Sequence, residues 1–376
     1  MKAYKILTLL GMLGASVTGC SDIDPVISDK EVIILNQSQP FACNTDNYAF
    51  YRIPAMVITK HDIVLAFCEG RVNGREDTGN IDIVLRRSGD RGNTWQDLLV
   101  VYDDKESTCH NPCPIYLPEQ NRVVMIMNKS YGNSQVLVTY SDNEGQTWST
   151  PRNITDAVRP AGVKRYTQGP CHGIVKQHEP NKGRLIVSGY QTSPVDGEYY
   201  ANAIYSDDNG ETWHHGGTVP TPNTNESTVC ELSDGSLLMS IRIQKDAASK
   251  SERYRGHSVS HDGGITWTPA TLVNSLPDPG CQGSLYTYSF GGGENGRNIL
   301  LFCNPAWQAR RLHNTLRASF DDGATWSKGF DYTGEEVGGY CDIAAFSDGE
   351  IAVLSEYGYL NNGGIIFRKF KLSDLN

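Results

Sequence analysis

The chain predicts an all-β fold, a six-bladed β-propeller of four-stranded antiparallel blades, and two observations carry that prediction. One eight-residue turn motif, Ser-x-Asp-x-Gly-x-Thr-Trp, recurs along the 376 residues at a spacing of about 58, a period expected of stacked supersecondary units. Between its copies lie short apolar runs bounded by Gly, Asp, Asn or Pro, with no long helical period.

The motif copies are Ser88–Trp95, Ser206–Trp213, Ser260–Trp267 and Ser319–Trp326, with a fifth, Ser141–Trp148, that has Asn143 in place of the Asp. Five of the six tryptophans of the chain fall in them, which removes chance as an explanation. The chemistry of the motif is that of a tight hairpin. Its Asp accepts turn N–H groups, its Gly supplies positive φ, and its Trp covers the turn. These roles build a fold and name no activity. The intervening runs, such as Asp62–Phe67, Ile81–Leu85, Arg122–Met127, Gln135–Tyr140, Arg184–Val187, Asn298–Phe302 and Glu350–Leu354, are strand-length. The last blade has no motif copy, and Glu31–Leu35 is expected to close the ring against the C-terminal strands.

Residues 1–19 read as a signal segment: Lys2 and Lys5 give a basic start, and Ile6–Val17 is apolar but too short to span a bilayer. The end of that run, Val17-Thr18-Gly19-Cys20, resembles a bacterial lipobox, which implies lipidation of Cys20, a tether over 20–30 and a propeller over 31–376. The expected location is the bacterial cell envelope, with membrane attachment only through the N-terminal lipid. Ordinary secretory cleavage near the same point is the alternative, giving a secreted protein.

With 33 Lys and Arg against 43 Asp and Glu, the net charge is −10. No overall field attracts nucleic acid, and an anionic ligand would need its own cluster of arginines. Cys68, Cys230 and Cys303 sit beside apolar runs and read as buried free thiols. The spacing Cys109-His110-Asn111-Pro112-Cys113 invites a metal, but no second Cys/His pair stands at zinc-site spacing, so no metal is expected. A Cys109–Cys113 disulfide is left open. Sequons occur at Asn36, Asn128, Asn153 and Asn225, and a glycan on Asn225 would crowd Glu226.

Tyr51-Arg52-Ile53-Pro54 stands ahead of the first motif copy, and together they resemble the sialidase superfamily from about Tyr51 to Glu356. The stretches Gly173–Val187 and Asn223–Gly235 are similar to their counterparts in lysosomal-type animal sialidases. The resemblance implies an exo-α-sialidase with three arginines gripping the substrate carboxylate, for which a planar, permanently charged guanidinium is suited. Arg52 matches the first, Arg242 the second, sixteen residues after Glu226, and Arg311 the third, with Arg310 and Arg317 as neighbouring rivals. It implies Tyr340, in Gly338-Gly339-Tyr340, as nucleophile with Glu226 as its base. A neutral phenol avoids the repulsion that a carboxylate nucleophile would meet at an anomeric carbon bearing a carboxylate. Asp77, six residues after Arg71, is the implied acid/base, with Glu76 as rival and Asp82 read as structural. Arg71 is assigned to substrate binding, and Glu356 is the carboxylate that orients Arg52.

The expected substrates are sialylated glycans, with no cofactor and a monomeric chain. A glycan-binding propeller without catalysis is the competing reading, and the set Asp77, Glu226 and Tyr340 discriminates against it. The sequence leaves linkage preference open, and also hydrolysis against transfer or anhydro-sugar formation.

Overall fold

The computed structural model describes residues 36–244, 253–358 and 363–375. The signal segment 1–19, the tether with Cys20, and Glu31–Leu35 lie outside the described residues. Six antiparallel sheets follow one another along the chain. Blade 1 consists of Phe50–Ile58, Val64–Arg71, Ile81–Ser88 and Leu99–Tyr102. Blade 2 consists of Cys109–Leu117, Arg122–Lys129, Gln135–Ser141 and Arg152–Asn153. Blade 3 runs Tyr166–Gln168, Leu185–Thr192, Tyr199–Ser206 and His214–Thr218, with the short strand Ile174–Val175 also paired to its second strand. Blade 4 is Thr224–Glu231, Leu237–Ile243, Tyr254–Ser260 and Thr271–Pro277. Blade 5 is Ser284–Ser289, Ile299–Pro305, Asn314–Ser319 and Phe330–Asp331.

Blade 6 takes Cys341–Ala345, Ile351–Tyr357 and Gly364–Phe370 from the C-terminus and Asn36–Ala42 from the N-terminus. Asn36–Ala42, the first described residues, are in the closing strand. This closure explains the missing motif. Each copy starts on the last residue of a blade's third strand (Ser88, Ser141, Ser206, Ser260, Ser319) and turns the chain into the fourth. In blade 6 the fourth strand comes from the other end of the chain, so that turn does not exist.

Within a copy, the Ser88 hydroxyl donates to Asp90 Oδ1 at 2.8 Å and accepts from the Gly92 N–H at 2.8 Å. Asp90 also accepts from the Thr94 N–H at 2.9 Å and the Thr94 hydroxyl at 2.6 Å. Asp208, Asp262 and Asp321 repeat these contacts. The motif glycines all have φ between 80 and 92°, the left-handed region. Each Trp then packs in the seam with the preceding blade: Trp213, for example, lies with Ile115, Val124 and Ile126 of blade 2 and with Leu185 and Ile204 of its own. The seam from blade 5 to blade 6 lacks a Trp and is filled by Phe330, Tyr332, Phe370 and Leu375. Because blades stack face to face, both faces of the middle strands are buried, as in Val64–Arg71, and their sequences read as apolar runs rather than alternations.

Around the axis, Asp342 ties the blades together. It accepts from the Met56 N–H of blade 1 at 2.8 Å, the Ser284 hydroxyl of blade 5 at 2.9 Å, and the Cys171 thiol and His172 Nδ1 beside blade 3 at 2.5 and 2.6 Å. Cys171, His172 and Asp342 form the group of metal-ligating type among the described residues. In contrast, Cys109 and Cys113 lie on one strand as free thiols, so the open disulfide does not form. Cys68, Cys230 and Cys303 are buried and free, as expected.

Candidate active site

One mouth of the ring is built from the beginnings of the first strands and the ends of the second strands. Three first strands slip register there: between Arg52 and Ala55, His110 and Cys113, and Thr224 and Ser227. A bulge bends the strand and re-aims its side chains. Ile53 and Asn111 accordingly take φ of 59 and 53°. The same irregularities turn Arg52 and Glu226 toward the axis, where alternation alone would have sent part of each segment into a seam.

Arg52, 4% exposed, donates through Nε to Glu356 Oε1 at 3.1 Å and through Nη1 to Asp77 Oδ1 at 3.1 Å. Glu356 also accepts from the Ile53 N–H at 3.1 Å and, through Oε2, from the Tyr340 N–H at 3.2 Å. A Cβ on Gly339 would stand 2.1 Å from Glu356 Oε2, so glycine is required for the close approach that seats Tyr340. Glu356 thus contacts both the Arg52 guanidinium and the backbone of the tyrosine.

Tyr340 donates its hydroxyl to Glu226 Oε1 at 2.6 Å, and the two are 5% and 7% exposed. Arg242 Nη1 lies 2.7 Å from Glu226 Oε2 and 3.2 Å from the phenol oxygen. The antiparallel register explains this meeting: Thr224 pairs with Ile243 and Ser227 with Ile241, which sets Arg242 across from the bulge that holds Glu226. Burial, reinforced by the Glu226 carboxylate, pushes the Tyr340 phenol far above its usual range, against the pull of Arg242 and Arg311. The guanidinium carbons of Arg52 and Arg311 each stand 5.3 Å from the centre of the Tyr340 ring. Arg311 therefore reaches the site. Its rival Arg310 is exposed, and Arg317 is buried on the third strand of blade 5, its pKa lowered to about 10 by that burial.

Asp77 sits on the loop after the second strand of blade 1, its side chain 66% exposed, with Oδ1 bridging Arg52 and Arg71 at 3.1 and 2.9 Å. Burial alone would raise its pKa, but the Arg71 and Arg52 charges outweigh burial and hold it below the ordinary carboxylate range. Glu76 offers the site only its backbone carbonyl, 3.0 Å from Arg71 Nη1. Asp82 lies on the next strand, as expected, and accepts from the Tyr48 hydroxyl at 2.7 Å.

Arg71 is fully enclosed, and its main partner, Glu69, escaped the sequence reading. Glu69 Oε2 accepts from Arg71 Nε and Nη2 at 3.0 and 2.6 Å, and Oε1 from the Asn111 N–H at 3.0 Å. Two residues apart on a strand, Glu69 and Arg71 share a face, which is the signal that could have found them. A second missed group shares the cavity of about 370 Å³ that holds Glu226, Arg242 and Tyr340: Tyr131, Arg165, Tyr190 and Tyr199. Tyr131 and Arg165 lie on loops, Tyr190 and Tyr199 on the second and third strands of blade 3, and none stands in a motif. Sequon Asn225 is buried in the same wall and donates no free face to a glycan; its Oδ1 accepts from the Glu226 N–H at 2.7 Å.

A propeller whose mouth concentrates fixed guanidinium charge around a phenol already bonded to a carboxylate has the architecture of the sialidase class. The BNR repeat-like domain family matches residues 63–353. The chain belongs to that family, within the sialidase superfamily. It is similar to a sialidase of Micromonospora viridifaciens, 31% identical over 99% of this chain and 60% of that protein. A sialidase of Paraclostridium sordellii is 28% identical over 98% of this chain and 95% of its own length. Among solved structures, a Hadza microbial sialidase superposes with a TM-score of 0.80 at 25% identity, covering 90% of this chain and 69% of that one. The chain thus spans about three fifths of the Micromonospora relative.

Proposed function

We propose that the protein is a retaining exo-α-sialidase that removes terminal α-linked sialic acids from glycoproteins, glycolipids or oligosaccharides through a covalent tyrosyl intermediate. The observation that carries this is the 2.6 Å Tyr340–Glu226 hydrogen bond held among Arg52, Arg242 and Arg311. The arginines bind the substrate carboxylate, and Arg71 holds the loop that presents Asp77. The carboxylate takes the place of Asp77 on Arg52, Asp77 takes up a proton from solvent as that charge is neutralised, and it then passes the proton to the leaving oxygen. Tyr340 attacks the anomeric carbon as its proton passes to Glu226, so the nucleophile gains negative character only as it bonds. Asp77, now a base, deprotonates the water that displaces Tyr340 from the sugar with net retention, and Glu226 returns its proton to the departing phenol oxygen. Such a reading agrees with the relatives named sialidase.

Mass spectrometry after treatment with a 2,3-difluorinated sialic acid should find the sugar on the peptide containing Tyr340. An adduct on another residue, or inactivation without one, would overturn the tyrosyl step. Tyr340→Phe should lose most hydrolysis of natural sialosides and still bind a carboxylate-bearing sialic acid analogue, since the arginines remain. Location in the cell envelope through a lipid on Cys20 belongs to the same proposal, and Cys20→Ser should release the protein from membranes.

A further inference from the structure

Outside the active-site cavity, one cluster has chemistry that the proposed reaction leaves unused. Cys171 and His172, on the loop after the first strand of blade 3, and Asp342, on the first strand of blade 6, are all buried. Asp342 Oδ1 carries more donors than an oxygen has lone pairs. It faces the Cys171 thiol at 2.5 Å, His172 Nδ1 at 2.6 Å, the Ser284 hydroxyl at 2.9 Å and the Ile343 N–H at 2.9 Å. A cation among the three side chains relieves that load, because sulfur and imidazole nitrogen then turn lone pairs toward it in place of protons. The spacing fits. Cys171 Sγ and His172 Nδ1 are 3.7 Å apart. Zinc bonds of about 2.3 Å to sulfur and about 2.0–2.1 Å to nitrogen set two tetrahedral ligands about 3.6 Å apart.

The backbone points the same way. Cys171 has φ of 90°, in the left-handed region that favours glycine, so its side chain is kept at a cost in strain. Charge and softness select the ion. A buried thiolate and a buried carboxylate are neutralised together by a divalent cation, and thiolate with imidazole favours zinc over magnesium or calcium. An entry path is present too. His172 lines a cavity of about 230 Å³ that also meets Ile58, Pro118, Glu231 and Ala345, at the ends of first strands and thus at the mouth opposite Tyr340.

We infer that Cys171, His172 and Asp342 form a zinc site on the propeller axis that joins blade 3 to blade 6. On binding, the thiol releases its proton to solvent, and the Nδ1 proton passes to Nε2, which is buried without a hydrogen-bond partner among the described residues. Oδ1 withdraws by about 1 Å to become the third ligand, at about 2.0–2.2 Å from the metal, and water from the cavity takes the fourth position. Thiolate, carboxylate and zinc then sum to zero charge.

The test loads the purified full-length protein with zinc sulfate, removes the excess by gel filtration at neutral pH and counts metal by plasma mass spectrometry. Wild type should retain about one zinc per chain, and cobalt in its place should show the near-ultraviolet absorption of a thiolate–cobalt bond. Cys171→Gly removes the sulfur at a backbone position that suits glycine, so it should fold, lose the cobalt band and weaken zinc binding by about 100-fold or more. His172→Gln, which keeps the thiol, should weaken zinc in the same way. Zinc should also raise the thermal midpoint of wild type and leave that of Cys171→Gly unchanged. Wild type that retains no zinc overturns the inference and leaves a hydrogen-bonded cluster only. Zinc retention and a thermal shift that survive in both variants overturn it as well, placing the metal on other side chains. The inference stands apart from the sialidase reading, and no arm of the test depends on cleavage of a sialoside.

Discussion

Asp77 is held as an anion between two guanidinium groups, yet its proposed task requires a proton. The contradiction resolves if the substrate carboxylate displaces it from Arg52, because the charge that lowers its pKa is then neutralised by another anion. The sign follows: the Asp77 pKa is low in the free protein and higher in the complex, so binding takes up protons in the window between them. Calorimetry of a carboxylate-bearing sialic acid analogue near pH 5, in two buffers of different ionisation enthalpy, should show fractional proton uptake that Asp77→Asn abolishes. Absence of uptake in the unaltered protein would place Asp77 outside the acid/base role. A companion measurement uses leaving groups. Asp77→Ala should impair natural sialosides far more than an activated aryl sialoside, whose leaving group needs little protonation.

At the scale of the element, the hairpin motif and the strand that precedes it make separate contributions. Trp213, 2% exposed in the seam between blades 2 and 3, should cost about 3–5 kcal/mol when replaced by Ala, measured by urea unfolding. The Asn143 copy tolerates loss of the carboxylate because its amide reproduces the contacts: Oδ1 accepts from the Thr147 N–H at 2.9 Å and Nδ2 donates to the Thr147 hydroxyl at 2.8 Å. Asp82, on the third strand of blade 1, has its pKa raised to about 6 by burial and by the neighbouring Asp103, despite the Tyr48 hydrogen bond. A raised carboxylate favours the folded state at low pH, and that stability is lost as pH rises through the folded value. Asp82→Asn should therefore be near neutral at pH 4 and stabilise by about 1 kcal/mol at pH 8, after allowance for solvent screening. An equal effect at both pH values would dissociate Asp82 from the titration.

For the whole molecule, closure by Asn36–Ala42 removes the free edge that Gly364–Phe370 would otherwise expose. The same strand region holds the first motif turn, since the Ser38 hydroxyl accepts from Trp95 Nε1 at 2.9 Å and donates to the Gly92 carbonyl at 2.5 Å. Removing residues up to 42 should lower the thermal midpoint, broaden the transition and promote aggregation, read by calorimetry and light scattering. An unchanged single transition would show that the ring does not depend on this latch. The site feels the closure too, because Glu356 of the sixth blade fixes Arg52 of the first.

The sequence by itself determined the blade count, because a turn motif repeats as a local signal, and Arg52, Glu226, Arg242 and Tyr340, singled out by their local settings, meet in one mouth of the ring. It also read Asp82 into the next strand, which is where the structure has it. The missing sixth motif copy was legible as an absence, but its cause, a blade assembled from both chain ends, exists only when the ring is closed. Glu69 and the cage around Arg165 depended on tertiary structure in the same way. Tyr131 lies on a loop of blade 2 and Tyr190 and Tyr199 on paired strands of blade 3, and only the stacking of those blades brings all three rings around one guanidinium. Tertiary structure likewise decided the state of Asp77. Its pKa is set by Arg52 and Arg71, which come from adjacent strands of blade 1, and a charge interaction of that kind depends on distance in space rather than on position along the chain.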